Sequence, residues 1–468
     1  MTARTAGNEP RFPLLWAPQA WLDAGWHENV LLRIGPDGRW AEVAPGVDLL
    51  PEGAERLSGP LLPGLVNAHS HAFQRAFAGL AERRESPADD FWSWRDRMYR
   101  VALRITPEQL NAIAAHLYVE LLRGGYTQVC EFHYLQHDHD GRAYADPLAL
   151  SWAVADAAAE AGVGITMLPV LYERAGFAQP RLRDDQRRFA TTADSVWAAK
   201  CALAKSGRPL LNAGFAIHSL RAAAPDSIAR LRSLAEGFDG PIHVHVAEQT
   251  AEVDDCLAAT GMRPIEWLAR QDLLDARWQL VHATHTVRSE IESVAQSGAG
   301  VVICPSTEGN LGDGLADLPG WLDLEVPMTI GSDSHVTRTW REELRWLDYG
   351  QRLVLRQRNV SAAPGSGLPS TAGRLFSRAL QGGAAAAGEP AWGLQAGARA
   401  DALVVDMRDA SMIGVPAPNV LDALVFSSPG RPWRDVMVAG RWAVRDHRHP
   451  GADEIARRFE SAMASLWS

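Results

Sequence analysis

Eight apolar, β-branched runs, with segments of helical period between them, predict an α/β protein. The implied architecture is a (β/α)8, TIM-like barrel with a small β-sandwich domain formed by both termini. The runs are Leu61–His71, Tyr126–Tyr134, Gly164–Tyr172, Leu211–Ser219, Pro241–Glu248, Trp278–His285, Gly300–Pro305 and Val326–Asp333. Strand and helix alternating eight times is the order that such a barrel requires.

The helical segments carry their own signals. Thr106-Pro107-Glu108 opens one of them, with Thr as N-cap and Pro in the first turn. Leu110, Ile113, Ala114, Leu117 and Leu121 follow on one stripe, and Gly124-Gly125 ends it. Ala222–Phe238, Thr250–Gln271 and Arg288–Gln296 behave alike. The flanks differ. From about Leu15 to Leu57 the chain reads as short strands with turns, such as Val30–Ile34 before Gly35-Pro36-Asp37-Gly38. From about Gly393 it does so again, in Ala402–Asp406 and Asp435–Gly440. The expected units are therefore 1–58 and 386–468 for the small β domain and 59–385 for the barrel. Ser361–Thr371 and Gly382–Glu389, rich in small residues, are expected as surface loops.

Composition bounds the partners. The 468 residues are 47% hydrophobic, ample for a large core. A formal charge of −10 without a basic run argues against nucleic acid or an anionic membrane as partner. No apolar stretch has transmembrane length, and Met1-Thr2-Ala3-Arg4-Thr5 leads into no signal-peptide core. Cys130, Cys201, Cys256 and Cys304 are far apart, which suits reduced, mostly buried thiols in a cytoplasmic protein. Tryptophans are scattered, so they argue for packing rather than for a base-stacking platform.

The chemistry is expected at the C-terminal ends of the strands. Strand one ends in His69-Ser70-His71, whose alternate positions point two imidazoles the same way. That is half of a catalytic metal site. Strand four ends in His218, strand five in His245 and Glu248, strand six in His282 and strand eight in Asp333. A hydrogen-bonded histidine or a capping carboxylate would explain any one of these. Matching positions on successive strands are harder to dismiss.

With these residues in place the chain resembles the amidohydrolase superfamily. His-x-His, His245-Val246-Ala247-Glu248, His282 and Gly331-Ser332-Asp333-Ser334 match its mononuclear deaminase pattern. Binuclear members generally bridge two metals with a carboxylated lysine. The only lysines here are Lys200 and Lys205, neither at a strand end, so one metal is expected. The resemblance implies one Zn2+ per chain on His69, His71 and His245, with Asp333 touching the metal and taking a proton from the activated water. Fe2+, Mn2+ or Co2+ suit the same histidine-rich donors. Glu248 would pass a proton to the leaving nitrogen, and His282 would support the tetrahedral intermediate.

The resemblance narrows to the formimidoylglutamate deiminase family of histidine degradation. It is carried by Asn67–Arg75, Phe91-Trp92-Ser93-Trp94-Arg95, Glu131-Phe132-His133-Tyr134 and Ser306–Gly314. The implied reaction converts N-formimidoyl-L-glutamate and water to N-formyl-L-glutamate and ammonia. Arginine suits such a dicarboxylate because its planar fork pairs with carboxylates in two places. Gln74, Tyr134, His218 and Arg221 are implied as carboxylate contacts, and Arg95 as a contact reaching in from the neighbouring subunit of a homodimer. An aromatic packing helix with an exposed Arg95 is the plainer explanation of that segment. Three rivals remain at this point. One is a guanine- or cytosine-like ring deaminase, one a ring-amide hydrolase of the imidazolonepropionase kind, and one a barrel that only binds. Of the remaining histidines, His137 and His139 are expected in a solvated loop and His243 inside the barrel. His285 and His335 are expected to orient ligands.

Overall fold

The computed structural model describes residues 13–83 and 91–468, apart from the side chains of Phe91, Trp92, Ser93 and Asp96. Met1 to Thr5, on which the expectation of no signal peptide rests, lie outside the described residues. The barrel strands are Leu65–Ser70, Tyr126–His133, Gly164–Leu171, Phe215–Ile217, Ile242–Val246, Trp278–His282, Gly300–Ile303 and Met328–Ile330. They are parallel and neighbour one another in chain order. The short strand Leu211–Ala213 lies beside strand three, so the expected fourth run is broken at Gly214. A Cβ at Gly214 would run into the carbonyl of Pro241.

Strands one and eight close the barrel through a single parallel rung, Ser70 opposite Asp333. Asp333 N donates to His69 O at 3.0 Å, and His71 N donates to Asp333 O at 3.3 Å. The seam of the barrel thus runs through three of the expected site residues.

Four expectations need correction. The run Leu61–His71 is not one strand. Leu61–Leu62 pairs with Ala20 on one side and with Leu403 and Val404 on the other, in the small sheet. Pro63-Gly64 then releases the chain to start the barrel at Leu65. Thr250–Gln271 is two helices, Thr250–Thr260 and Pro264–Arg270, parted by Gly261 at φ +75°. Gly382–Glu389 is not a surface loop. Residues up to Ala387 complete the helix Thr371–Ala387, which lies against strands one and eight. A Cβ at Gly382 would meet the backbone of Met328, and one at Gly383 the Val66 side chain. The small residues are there for close approach. The C-terminal flank, last, is not only strands: it ends in the helix Ala452–Trp467 against Pro107–Gly124.

The carbonyls that a helix end leaves without partners are satisfied here by the barrel. Cys130 Sγ and His243 Nε2 donate to Ala386 O at 3.3 and 2.9 Å. Thr166 Oγ1 and Asn212 Nδ2 donate to Ala387 O at 2.9 and 2.8 Å. His243 is fully buried, as expected of a barrel-lining residue. The helix Pro107–Gly124 begins with the predicted cap: Gln109 N donates to Thr106 Oγ1 and Thr106 N to Gln109 Oε1. Gly125 ends it at φ +92°.

Strands from both flanks join one mixed eight-stranded sheet: Leu14–Leu22, Gly25–Ile34, Trp40–Ala44, Glu55–Arg56, Leu61–Leu62, Ala402–Val405, Trp433–Val438 and Arg441–Val444. Leu15, Val30, Leu32, Trp40, Leu61 and Val404 share its separate core. No helix among the described residues is long and apolar enough to cross a membrane. All four cysteines are free, and three of them are buried.

Arg399 ties this sheet to the N-terminal end of barrel strand two. It forks onto Asp401 at 3.0 and 2.7 Å and also donates to Gln128 Oε1 at 2.7 Å and Thr127 O at 3.0 Å. All of these groups are buried. Arg399→Met is expected to cost about 3–5 kcal/mol, because Asp401 is left buried without its counter-charge. The midpoint of urea unfolding reads this, and an unchanged midpoint would remove the joint as a source of stability.

Candidate active site

Three imidazoles meet at the seam. His69 Nε2 lies 3.2 Å from His71 Nε2 and 2.9 Å from His245 Nε2. Asp333 Oδ1 is 3.6 Å from His69 Nε2 and 3.4 Å from His71 Nε2. Strand pleating explains the convergence: residues 69 and 71 face inward together, as do 243 and 245. Phe132 O, which only accepts, takes a hydrogen bond from His71 Nδ1 at 2.9 Å. His71 therefore presents the lone pair of Nε2 to the cluster. His69 Nδ1 is buried with no hydrogen-bond partner among the described residues.

Such nitrogens repel unless a cation lies among them. Tetrahedral bonds of about 2.0–2.1 Å put nitrogen donors about 3.3 Å apart, close to the spacings seen. Burial, then the neighbouring histidines, hold the His69 and His245 pKa values well below the usual range. Burial brings His71 down to about 3. With these rings neutral, their contacts with Asp333 are ligand-like rather than ion pairs, and neutral imidazole is the form that binds metal. The donor set therefore fits one divalent ion. Among the described residues, three sets of donors lie close enough to hold one: His69, His245 and His282; His69, His71 and Asp333; and His282, Cys304 and Glu308. They overlap at His69 and His282, so they form one centre. Lys200 and Lys205 lie on the helix Ala193–Lys205, with Lys200 Nζ over the rings of Trp197 and Phe238.

His282 is the charged member. Its Nδ1 is 3.3 Å from Glu308 Oε1, and its Nε2 is 3.7 Å from Glu248 Oε1 and 3.8 Å from Asp333 Oδ2. Burial alone would lower its pKa, but Glu248, Glu308 and Asp333 overcome this and push it up to about 10. Burial, with Glu248 and Glu308 beside it, raises Asp333 to about 7 against the pull of His282. Three of these residues stand at or beside left-handed backbone: His282 at φ +69°, Asp333 at +44°, and Ala247, before Glu248, at +52°. Non-glycine residues in that region carry strain of the kind that gathers at functional sites.

Several supporting groups escaped the sequence. Ser70, between the two histidines, points outward and donates to Glu131 Oε2 at 2.7 Å, and Ala72 N donates to Glu131 Oε1 at 2.6 Å. Glu131 lies in the quoted Glu131–Tyr134 block, but nothing in its spacing says that it faces away from the barrel. His335, expected beside a ligand, stands against the backbone of His71. Its Nε2 donates to His71 O at 3.1 Å, and Ser332 Oγ stands 3.0 Å from its Nδ1. Asn67 Nδ2 donates to that same hydroxyl at 2.7 Å. Glu308 was legible only as part of the Ser306–Gly314 block. Cys304 N holds it at 2.8 Å.

The expected carboxylate contacts lie beside the cluster. The His218 ring is 5.0 Å from that of His245 and 5.7 Å from that of Tyr134, and Gln74 Nε2 donates to the Tyr134 hydroxyl at 3.0 Å. Beyond His218, Arg221 shares a cavity of about 630 Å3 with Arg95, Arg183, Gln179 and Asp255. Arg95 sits over the Tyr99 ring, 5.5 Å from its centre, so one chain alone brings both arginines to the cavity. The Phe91, Trp92 and Ser93 side chains quoted with Arg95 lie outside the described residues. His137 and His139 stay apart from the cluster, bonded to Ala190 O at 2.7 Å and Arg104 O at 3.0 Å. His285 bonds to Asp313 O at 2.8 Å rather than to a cluster residue.

Glu308→Ala removes the acceptor that orients His282. Turnover is expected to fall about 10- to 100-fold, the usual cost of losing such a partner, with metal content unchanged. Steady-state rates alongside metal analysis check this, and loss of metal would mean that Glu308 holds the ion instead.

Comparison with known proteins agrees with this geometry. The amidohydrolase family profile matches residues 61–443. Formimidoylglutamate deiminase of Pseudomonas aeruginosa is 46% identical over 97% of this chain and 99% of its own. A 5-methylthioadenosine/S-adenosylhomocysteine deaminase of Natronomonas pharaonis is 29% identical over 87% of each. The crystal structure of an amidohydrolase from Brucella melitensis superposes with a TM-score of 0.92 at 42% identity, over 97% of this chain and all of that one. An adenosine deaminase from Xanthomonas campestris shares the fold, at a TM-score of 0.78 and 22% identity over 98% of this chain and all of that one. Matched by profile along its barrel and by a close relative along nearly its full length, the chain belongs to the amidohydrolase family of hydrolases.

Proposed function

We propose that this hydrolase converts N-formimidoyl-L-glutamate and water to N-formyl-L-glutamate and ammonia. The observation that carries the proposal is the pairing of two unlike ends in one chain. A histidine-carboxylate centre lies at the seam, and Arg221 and Arg95 line a cavity beyond His218. Full-length likeness to a deiminase of that name supports it.

One Zn2+ per chain is the finer reading, held by His69, His71 and His245 with Asp333 at hand. A bound divalent ion there would acidify water and polarise the carbon under attack. The protein's groups do the rest. Asp333 accepts the water proton as oxygen bonds to the formimidoyl carbon. His282, held protonated, donates a hydrogen bond to the attacking oxygen. Glu248, as a carboxylate, takes the remaining hydroxyl proton and delivers it to the nitrogen, the C–N bond breaks, ammonia leaves and the formyl C=O remains. Arg221, Arg95, Gln74, Tyr134 and His218 receive the two carboxylates. The geometry needs no second subunit for Arg95, although the family likeness also implies a homodimer. Free thiols and the lack of a membrane-crossing helix among the described residues fit a cytoplasmic setting. A ring deaminase, the main rival, calls for aromatic faces and amide donors where these arginines stand.

Arg221→Met is expected to raise KM for N-formimidoyl-L-glutamate about 30-fold or more, the cost of stripping one side of a charged pair. Metal content should not change. An ammonia-release assay with N-formimidoyl-L-glutamate, guanine and cytosine reads it, and an unaltered KM rejects the substrate assignment. Glu248→Ala should keep its metal and lose about 10²–10⁴-fold in kcat, the span of a general acid. Near-normal turnover in that variant would send the proton by another route.

A further inference from the structure

The mechanism above leaves the buried carboxyl group of Asp313 unused. Asp313 lies just past the helix Pro305–Leu311 and is 5% exposed. Its backbone is pinned on both sides: its N–H donates to Glu308 O at 2.9 Å, and its carbonyl accepts from His285 Nε2 at 2.8 Å. Gly314 follows at φ +126°, where a Cβ would press on the His285 ring at 3.3 Å. The loop therefore holds one course, and Asp313 is placed rather than free to turn. Its Oδ1 accepts from the amide of Gln249, the neighbour of Glu248. Its Oδ2 is buried and has no hydrogen-bond partner among the described residues. The charged groups that act on it are Glu248, His282, Glu308 and Asp333.

An unpartnered, buried carboxyl oxygen is costly to keep in a folded protein. A second carboxylate, Glu248, acts on the same group and makes it costlier. A cation with several N–H donors relieves both problems at once. We infer that Asp313 binds the cationic formimidoyl end of the substrate through Oδ2 and shares that group with Glu248. The inference rests on the substrate proposed above. A protonated formimidoyl group is planar, carries its charge over two nitrogens and offers N–H donors on both. One nitrogen turned to Glu248 leaves donors for Asp313. The formyl group of the product is neutral and presents a carbonyl oxygen in place of an N–H2 group. Asp313 thus favours substrate over product and helps the product to leave. Burial, then the charge of Glu248, push its pKa up to about 9, as suits a carboxyl that lacks its cation.

Asp313→Asn removes the charge and keeps the shape and the Gln249 contact. In this variant kcat/KM for N-formimidoyl-L-glutamate should fall about 10- to 100-fold, the span of one charged hydrogen bond. The inhibition constant for N-formyl-L-glutamate should move less than about threefold, with metal content unchanged. Gln249→Ala separates recognition from mere support of the Glu248 loop, and its kcat/KM should fall less than that of Asp313→Asn. Three results overturn the inference while leaving the activity standing: an Asp313→Asn enzyme as efficient as the parent, equal losses for substrate and product, or Gln249→Ala reproducing the whole defect. A parent enzyme that releases no ammonia from N-formimidoyl-L-glutamate overturns the substrate assignment and this inference with it.

Discussion

The rung between Ser70 and Asp333 is the constraint on which the rest depends. It closes an eight-stranded barrel with two backbone hydrogen bonds, and those bonds belong to His69, His71 and Asp333 themselves. Barrel closure and site assembly are one event. An isolated run of strands one to seven would hold His245 and His282 but would lack the carboxylate from strand eight. The helix Thr371–Ala387 secures the seam from outside, since Gly382 and Gly383 let it lie directly on Met328 and Val66. Neither glycine touches the chemistry, yet both set where Asp333 can stand.

Electrostatics divides the site into two roles. Where imidazoles face one another, burial and mutual repulsion keep them neutral, as in His69, His71 and His245. Where an imidazole faces carboxylates, as His282 faces Glu248, Glu308 and Asp333, the proton is retained. The same residue type thus offers neutral rings on one side and a retained proton on the other. The difference lies in the neighbours, which follow from strand order. Strand six stands between strands five and seven, and these bring Glu248 and Glu308 to its two sides.

Legibility in the sequence followed chain locality. His69, His71, His245, Glu248, His282 and Asp333 could be read because each sits at the end of an apolar run, where the barrel puts its chemistry. His218 was legible in the same way, but its role, like Gln74, Tyr134 and Arg221 altogether, came from family likeness, because nothing in their spacing marks a carboxylate site. Glu131 and Glu308 were unreadable as partners. Each acts across strands, and a hydrogen bond between residues 61 apart, Ser70 to Glu131, leaves no periodic trace. The misread segment Gly382–Glu389 teaches a related point. Small residues are scored as loop formers, but here they are required by two packed surfaces in close contact, which only the tertiary fold reveals. The two-sheet use of Leu61–His71 was hidden for a similar reason: Pro63-Gly64 is too brief an interruption to show in an apolar run.

The two ends of the site need opposite treatment of charge, and the chain separates them by distance along the barrel rim. Carboxylates of a ligand want a fixed positive field, which Arg221 and Arg95 supply from the loop beyond strand four and from the helix Phe91–Ala102 before strand two. A cationic amidine wants the reverse, and the acidic groups come from strands five, seven and eight. His218 stands between the two regions, its ring stacked edge-on among Tyr172, Tyr134 and His245. Burial, with Arg221 next to it, keeps its pKa low, so it adds no charge to either side. A neutral spacer flanked by fixed positive and negative fields orients a ligand that carries both signs, because reversing it would oppose like charges at each end. Orientation of this kind requires no movement of the protein. It follows from placing unlike charges on different strands of one closed barrel.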